Sequence, residues 1–179
     1  MNLPNKLTAI RIAATVLMVI FLLFDGPAWD WLSAIMFLGA TLTDFADGYI
    51  ARRDGLVTNL GKFMDPLADK ILNYSVMILL IPEGLVPPVG LVIILFREFL
   101  VSGIRQVAGE QGVVIAANIW GKVKTLFQDI ALALILVLRA CGAGFLAPVA
   151  NVLLWICVAL TLLSGAIYLR QNMEILKKQ

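Results

Sequence analysis

The chain has 179 residues, of which 61% are hydrophobic and 15% charged, with a formal net charge of +2. A soluble domain has about a quarter of its residues charged, so this apolar excess does not fit inside one small core and lipid must solvate much of the surface. Histidine is absent, which restricts any general base to a carboxylate, a lysine or a metal-bound water.

Six apolar segments follow one another at 7–24, 31–53, 60–81, 88–107, 119–138 and 146–169. Each is close to the ~20 residues that a bilayer-spanning helix needs. The first is long for a cleavable signal peptide, and no small-residue cleavage site precedes the turn at Asp25, Gly26 and Pro27. Further turn signals lie at Pro82–Glu83–Gly84, at Pro87–Pro88 and from Cys141 to Gly144. The reading is an all-α polytopic membrane protein, a single domain over 1–179, with six transmembrane helices. Trp29, Trp31 and Tyr168 fall near segment ends, as interfacial aromatics do. Cys141 and Cys157 match no metal or redox spacing and read as inert small hydrophobes.

An inward N-terminus and six crossings put thirteen of the fourteen Lys and Arg residues toward one face, leaving Arg139 toward the other. By the positive-inside rule the loaded face, with both termini, is cytoplasmic.

Segments two and three carry aspartates within their apolar stretches. Asp44 and Asp47 are three apart and share a helix face; Asp65 and Asp69 are four apart and share another. The short connection 53–60 brings both pairs to one membrane face. Four carboxylates in a small space stay ionised only with cations among them, and hard oxygen ligands select Mg²⁺, Mn²⁺ or Ca²⁺. Two such ions side by side are a known device for phosphoryl chemistry. Gly48 and Ala51 thin the helix face beside the aspartates and leave room for a flat nucleotide. Gly61 permits close backbone approach to a phosphate, and Arg52 and Lys62 offer it charge. Pro66 is tolerable in the first turn of its helix and otherwise kinks it. An interhelical hydrogen-bond or salt-bridge cluster is the plainer alternative for these aspartates.

These residues resemble a known signature. The pattern D-x2-D-G-x2-A-R-x8-G-x3-D-x3-D is that of the CDP-alcohol phosphotransferases, and every position is filled, by Asp44, Asp47, Gly48, Ala51, Arg52, Gly61, Asp65 and Asp69. The resemblance implies a homodimeric membrane enzyme with a binuclear metal site on Asp44, Asp47, Asp65 and Asp69. It implies contact of Gly48, Ala51 and Arg52 with the CDP moiety, and Asp69 as the base for the acceptor hydroxyl. The N-terminal stretch Asn2 to Thr8, the run Asp65 to Lys70, and Arg97–Glu98–Phe99 with Arg105 resemble the branch that joins CDP-diacylglycerol to sn-glycerol 3-phosphate in phospholipid synthesis, releasing CMP.

A phosphorylated acceptor also suits the basic residues. Arg97 and Arg105 lie about two turns apart on segment four, and Lys122, Lys124 and Gln128 open segment five. Together with Lys62 they are candidates for the acceptor's phosphate. Arg97 has the alternative of pairing with Glu98, and Lys122 and Lys124 of being plain cytoplasmic anchors, the role assigned to Arg170, Lys177 and Lys178. The expected partners are CDP-diacylglycerol, glycerol 3-phosphate, membrane lipids and a second copy of the chain, with no nucleic acid. The expected location is the inner or plasma membrane, with the active site on the cytoplasmic side. Serine or inositol phosphate as acceptor is the nearest alternative. A small cation transporter is the alternative from another class, though its sites usually lie near the midplane with access to both sides.

Overall fold

The computed structural model describes residues 3–53, 59–110 and 119–177, with side chains over 7–44, 64–109 and 119–172. Among the described residues the protein is all helical, in the order α1 (Leu3–Leu22), α2 (Pro27–Arg53), α3 (Asn59–Leu79), α4 (Pro88–Glu110), α5 (Ile119–Ala140) and α6 (Leu146–Lys177). Each helix covers one apolar segment of the sequence, and several run past it. α1 starts earlier, with Pro4 in its first turn, where a missing N–H costs nothing. α2 starts at Pro27 and carries Asp30 in its first turn, where the helix dipole favours an acid. Gly26 before it has φ 128°, a conformation that side chains resist. α6 continues through Arg170 to Lys177. Hydropathy marks where a helix is oily; the helix itself extends into its polar ends.

Of the two alternatives for Pro66, the structure shows the one beyond the first turn. α3 begins two residues before Gly61, so Pro66 lies inside the helix, in its second turn. There its missing N–H leaves the carbonyl one turn earlier without its helical donor.

The chain packs as two compact units, one of Met1–Glu83 with Leu132–Leu146, the other of Gly84–Ala131 with Ala147–Gln179. In the first, α1 packs against α2 and α3. Its buried face runs Thr8, Arg11, Thr15, Met18 and Leu22, the three-and-four spacing of one helical stripe. That stripe is polar at its start and apolar at its end. α2 answers with Ser33, Ala34, Phe37 and Ala40, mostly small residues that let backbones approach. α3 answers with Ala68, Leu72 and Val76, and buried Leu80 follows just past its end.

At the other end of the same unit stands an ion-pair cluster. Arg139 donates from Nη1 to Asp30 at the start of α2, and from Nε to Glu83 after α3 at 2.9 Å. Asp30 precedes Asp44 by fourteen residues of helix, so this cluster is roughly 21 Å along α2 from Asp44. α5 then closes in a Schellman turn: Ala143 N–H bonds the Leu138 carbonyl at 3.1 Å, Gly142 N–H bonds the Arg139 carbonyl at 2.9 Å, and Gly142 takes φ 63°.

In the second unit α4 and α6 approach closely. A Cβ on Gly90 would stand 3.1 Å from Val158 and 3.2 Å from Pro87. Further along, Val101 and Ile104 of α4 are buried together with Tyr168 of α6, and Leu100 and Leu169 pack against them. Phe96 and Phe99 point outward, each 69% exposed, as do Val152 and Leu162. Large apolar groups displayed this way are costly in water and natural in lipid. The stretch Leu146–Asn172, which holds an 18-residue window of mean hydropathy 2.3, is long and apolar enough to cross a membrane, and Leu7–Leu22 is a shorter apolar helix.

Arg139→Ala is expected to lower the thermal midpoint in detergent micelles, because it strips the cation from an Asp30 side chain that is only 14% exposed, a loss of about 1–3 kcal/mol. Arg139→Lys should recover part of the loss. Equal midpoints for all three proteins would show that the cluster contributes nothing.

Candidate active site

The N-terminal end of α1 and the facing parts of α2 and α3 bring polar groups together within the first unit. Asp44 lies one turn beyond Ala40 and Thr41 on α2. Its Oδ1 is 2.6 Å from Nη1 of Arg11, whose side chain is completely buried. Asp65 lies on α3 one turn before Ala68 and Asp69. Its Oδ1 accepts a hydrogen bond of 2.6 Å from the Thr8 hydroxyl. Thr8 and Arg11 are three apart on one face of α1, so one helix holds an aspartate from each of two others. Thr15, a turn further on, donates to the Arg11 carbonyl at 2.9 Å. Asp69 is half-buried, and buried Asn73 donates to its Oδ1 at 3.3 Å from the next turn of α3.

Of the other sequence candidates near this site, Asp47, Gly48, Ala51 and Arg52 lie on the last turns of α2, and Gly61 and Lys62 on the first turn of α3. Their side chains are outside the described residues, as is the connection 54–58. Among the described residues no three acidic side chains group closely enough to hold a metal ion by themselves. By donor chemistry the set nevertheless fits a hard divalent cation. It is built of carboxylate oxygens, and a carboxylate with one oxygen bonded retains acceptor capacity.

Apart from Lys62, the basic candidates sit in the second unit, and the fold sorts them. Glu98 Oε1 accepts from Nη1 of Arg97 at 2.8 Å and from Nζ of Lys124 at 3.0 Å, so it ties α4 to α5. Arg97 therefore does pair with Glu98. Lys124 is 2% exposed, which is no place for a plain surface anchor. Lys122 is exposed: residues two apart face different sides of a helix, so burying Lys124 turns Lys122 outward. Arg105 is also exposed and stacks over the Tyr168 ring, 5.5 Å from its centre. Arg97 threads between two glycines. A Cβ on Gly165 would meet its Cγ at 3.0 Å, and one on Gly121 its Nη2 at 3.6 Å. The Nε of Arg97 and the Oε1 of Gln128, one turn along from Lys124, are buried with no protein partner.

The family model described as CDP-alcohol phosphatidyltransferase matches residues 1–163. The chain belongs to the CDP-alcohol phosphatidyltransferase family. The match runs through both packing units and takes in all four aspartates. Among relatives in this family, the CDP-diacylglycerol–glycerol-3-phosphate 3-phosphatidyltransferase of Bacillus subtilis is 40% identical, over 98% of this chain and 97% of its own length. The protein of the same name from Rickettsia bellii is 41% identical over 94% of each. A chloroplastic and mitochondrial counterpart from Arabidopsis thaliana is 32% identical over 99% of this chain and 65% of its own length.

Four groups of the site escaped the sequence reading in their structural roles. Arg11 counted only as a cytoplasmic charge, and Thr8 only as part of an N-terminal stretch. Their signal was present: a threonine and an arginine three apart, in register with the stripe that continues through Thr15, Met18 and Leu22. Asn73 is four residues after Asp69 and so was placeable by helix periodicity. Glu98 as the shared acceptor of Arg97 and Lys124 was not, because nothing local joins positions 98 and 124.

Gly165→Ala pushes into Arg97 and is expected to cost about 1–3 kcal/mol through overpacking, read as a lower thermal midpoint in micelles. Gly121→Ala meets Arg97 at ordinary contact distance and should leave the midpoint near wild type. The reverse order would mean that Arg97 does not fill this gap.

Proposed function

We propose that this chain is a multi-pass membrane enzyme that transfers the phosphatidyl group of CDP-diacylglycerol to sn-glycerol 3-phosphate, giving phosphatidylglycerophosphate and CMP. The observation that carries the reading is near-full-length identity of about two residues in five to relatives named for that reaction, together with a complete aspartate signature. In this reading six helices cross the bilayer, both termini and the aspartates are cytoplasmic, and 1–179 acts as one domain, as a homodimer.

Asp44, Asp47, Asp65 and Asp69 would hold two divalent cations, Mg²⁺ or Mn²⁺. When bound, such a pair neutralises diphosphate oxygens and stabilises the attacking and leaving oxygens. Gly48, Ala51, Arg52 and Gly61 take the CDP end of the donor, with small residues admitting the nucleotide and Arg52 facing phosphate. Arg97 and Lys124 take the acceptor's phosphate, with Lys62, Arg105 and Lys122 contributing charge. Glu98 holds the two buried bases in place and offsets part of their charge before the acceptor binds. Asp69, oriented by Asn73, removes the proton from the 1-hydroxyl of glycerol 3-phosphate. That oxygen attacks the β-phosphorus, the bond from the β-phosphorus to the bridging oxygen breaks, and CMP leaves with the electron pair.

Purified protein in micelles, given CDP-diacylglycerol and Mg²⁺, should release CMP with glycerol 3-phosphate and not with serine or inositol phosphate. Preference for either of the others would overturn the acceptor assignment. Excess chelator should abolish turnover and added Mg²⁺ or Mn²⁺ restore it; full activity in chelator would refute the metal-held donor. Asp69→Asn should lose turnover, by about a hundredfold or more for a lost general base, while still binding CDP-diacylglycerol. Near-normal turnover would remove Asp69 as the base.

A further inference from the structure

We infer that Thr8 and Arg11 of α1 are positioning residues for the reaction: they fix the Asp65 and Asp44 carboxylates in the orientation that ligand binding requires. The inference deepens the reading above and rests on it. Both side chains are almost wholly buried, at 3% and 1% exposed, and each reaches a different aspartate-bearing helix at 2.6 Å. Neither contact is needed to bury α1. Met18 and Leu22 already supply an apolar stripe further along it, and a valine and a methionine would continue that stripe to its start. Instead a hydroxyl placed there donates to Asp65, and a guanidinium is ion-paired with Asp44.

The physical consequence is orientational. A free carboxylate rotates about its terminal torsion with little preference. The Thr8 hydroxyl locked onto Oδ1 of Asp65 removes that freedom and directs its remaining lone pairs, while the Arg11 charge holds Asp44 close by attraction. Groups bonded to metal-ligating side chains act this way, and losing them typically costs about 10–100-fold in metal affinity or activity. Arg11 adds a second effect. Its buried charge offsets part of the repulsion among the aspartates while no cation is bound. Thr8, being neutral, acts through geometry alone and gives the cleaner test.

The experiment uses full-length protein in detergent micelles. Mn²⁺ is titrated by electron paramagnetic resonance without substrate, and CMP release is followed with CDP-diacylglycerol, glycerol 3-phosphate and Mg²⁺. Thr8→Val keeps the shape and removes the donor, whereas Thr8→Ser keeps the donor. Thr8→Val should raise the Mn²⁺ midpoint and lower kcat, each by about tenfold or more, with KM for glycerol 3-phosphate little changed; Thr8→Ser should stay near wild type in all three. Arg11→Met should lower kcat and Arg11→Lys restore part of it; if Arg11→Met does not fold, the Thr8 pair carries the decision. A Thr8→Val protein that binds Mn²⁺ and turns over like wild type overturns the inference. Wild-type protein that binds Mn²⁺ but transfers nothing to glycerol 3-phosphate defeats the acceptor assignment alone, and the titration still decides the role of Thr8. Wild-type protein that binds no Mn²⁺ overturns both the metal reading and this inference.

Discussion

Carboxylates carried on apolar helices need donors or opposite charge close at hand, and here α1 supplies both. Thr8 donates a hydrogen bond to Asp65, and Arg11 forms an ion pair with Asp44. The two helices that carry the aspartate signature are thus cross-braced at one end by a third helix that carries no acid of its own. An uncompensated charge in such surroundings costs several kcal/mol. Packing of α1 against α2 and α3 is therefore coupled to the state of the aspartates, and structure and chemistry are joined at the same four side chains.

The first unit repeats this arrangement with a different purpose at its far end. Arg139 gathers Asp30 and Glu83. α2 is thereby met by an arginine from another helix at its start and again at Asp44, with Ser33, Ala34, Phe37 and Ala40 buried between them. The chemistry differs, however. The Arg139 cluster pairs one base with two acids and closes on itself. The α1 cluster pairs its base with one aspartate and meets the other with a neutral hydroxyl.

The second unit solves the converse problem, burying cations. Arg97 and Lys124 share one acid, Glu98, and two glycines make room for the arginine's stem. Glu98 thereby serves two buried bases from two helices.

Much of this was legible in the amino-acid order because it rests on short-range periodicity. Six apolar runs became six helices. The spacing of three and four put Asp44 with Asp47 and Asp65 with Asp69 on shared faces, and the eight fixed positions of the signature named the family. Helix ends were less legible, since hydropathy does not register polar turns such as those from Arg170 to Lys177, and Pro66 fell deeper into α3 than its neighbours suggested. What only the tertiary structure decided is which side chain meets which across helices. Arg11 and Arg97 look alike in sequence, each one base in an oily run, yet one holds an aspartate on α2 and the other shares Glu98 with a lysine on α5. Lys122 and Lys124 are two residues apart, yet one is exposed and the other buried. Such pairings depend on how helices rotate and approach, which is set by packing across long stretches of chain and leaves no local trace.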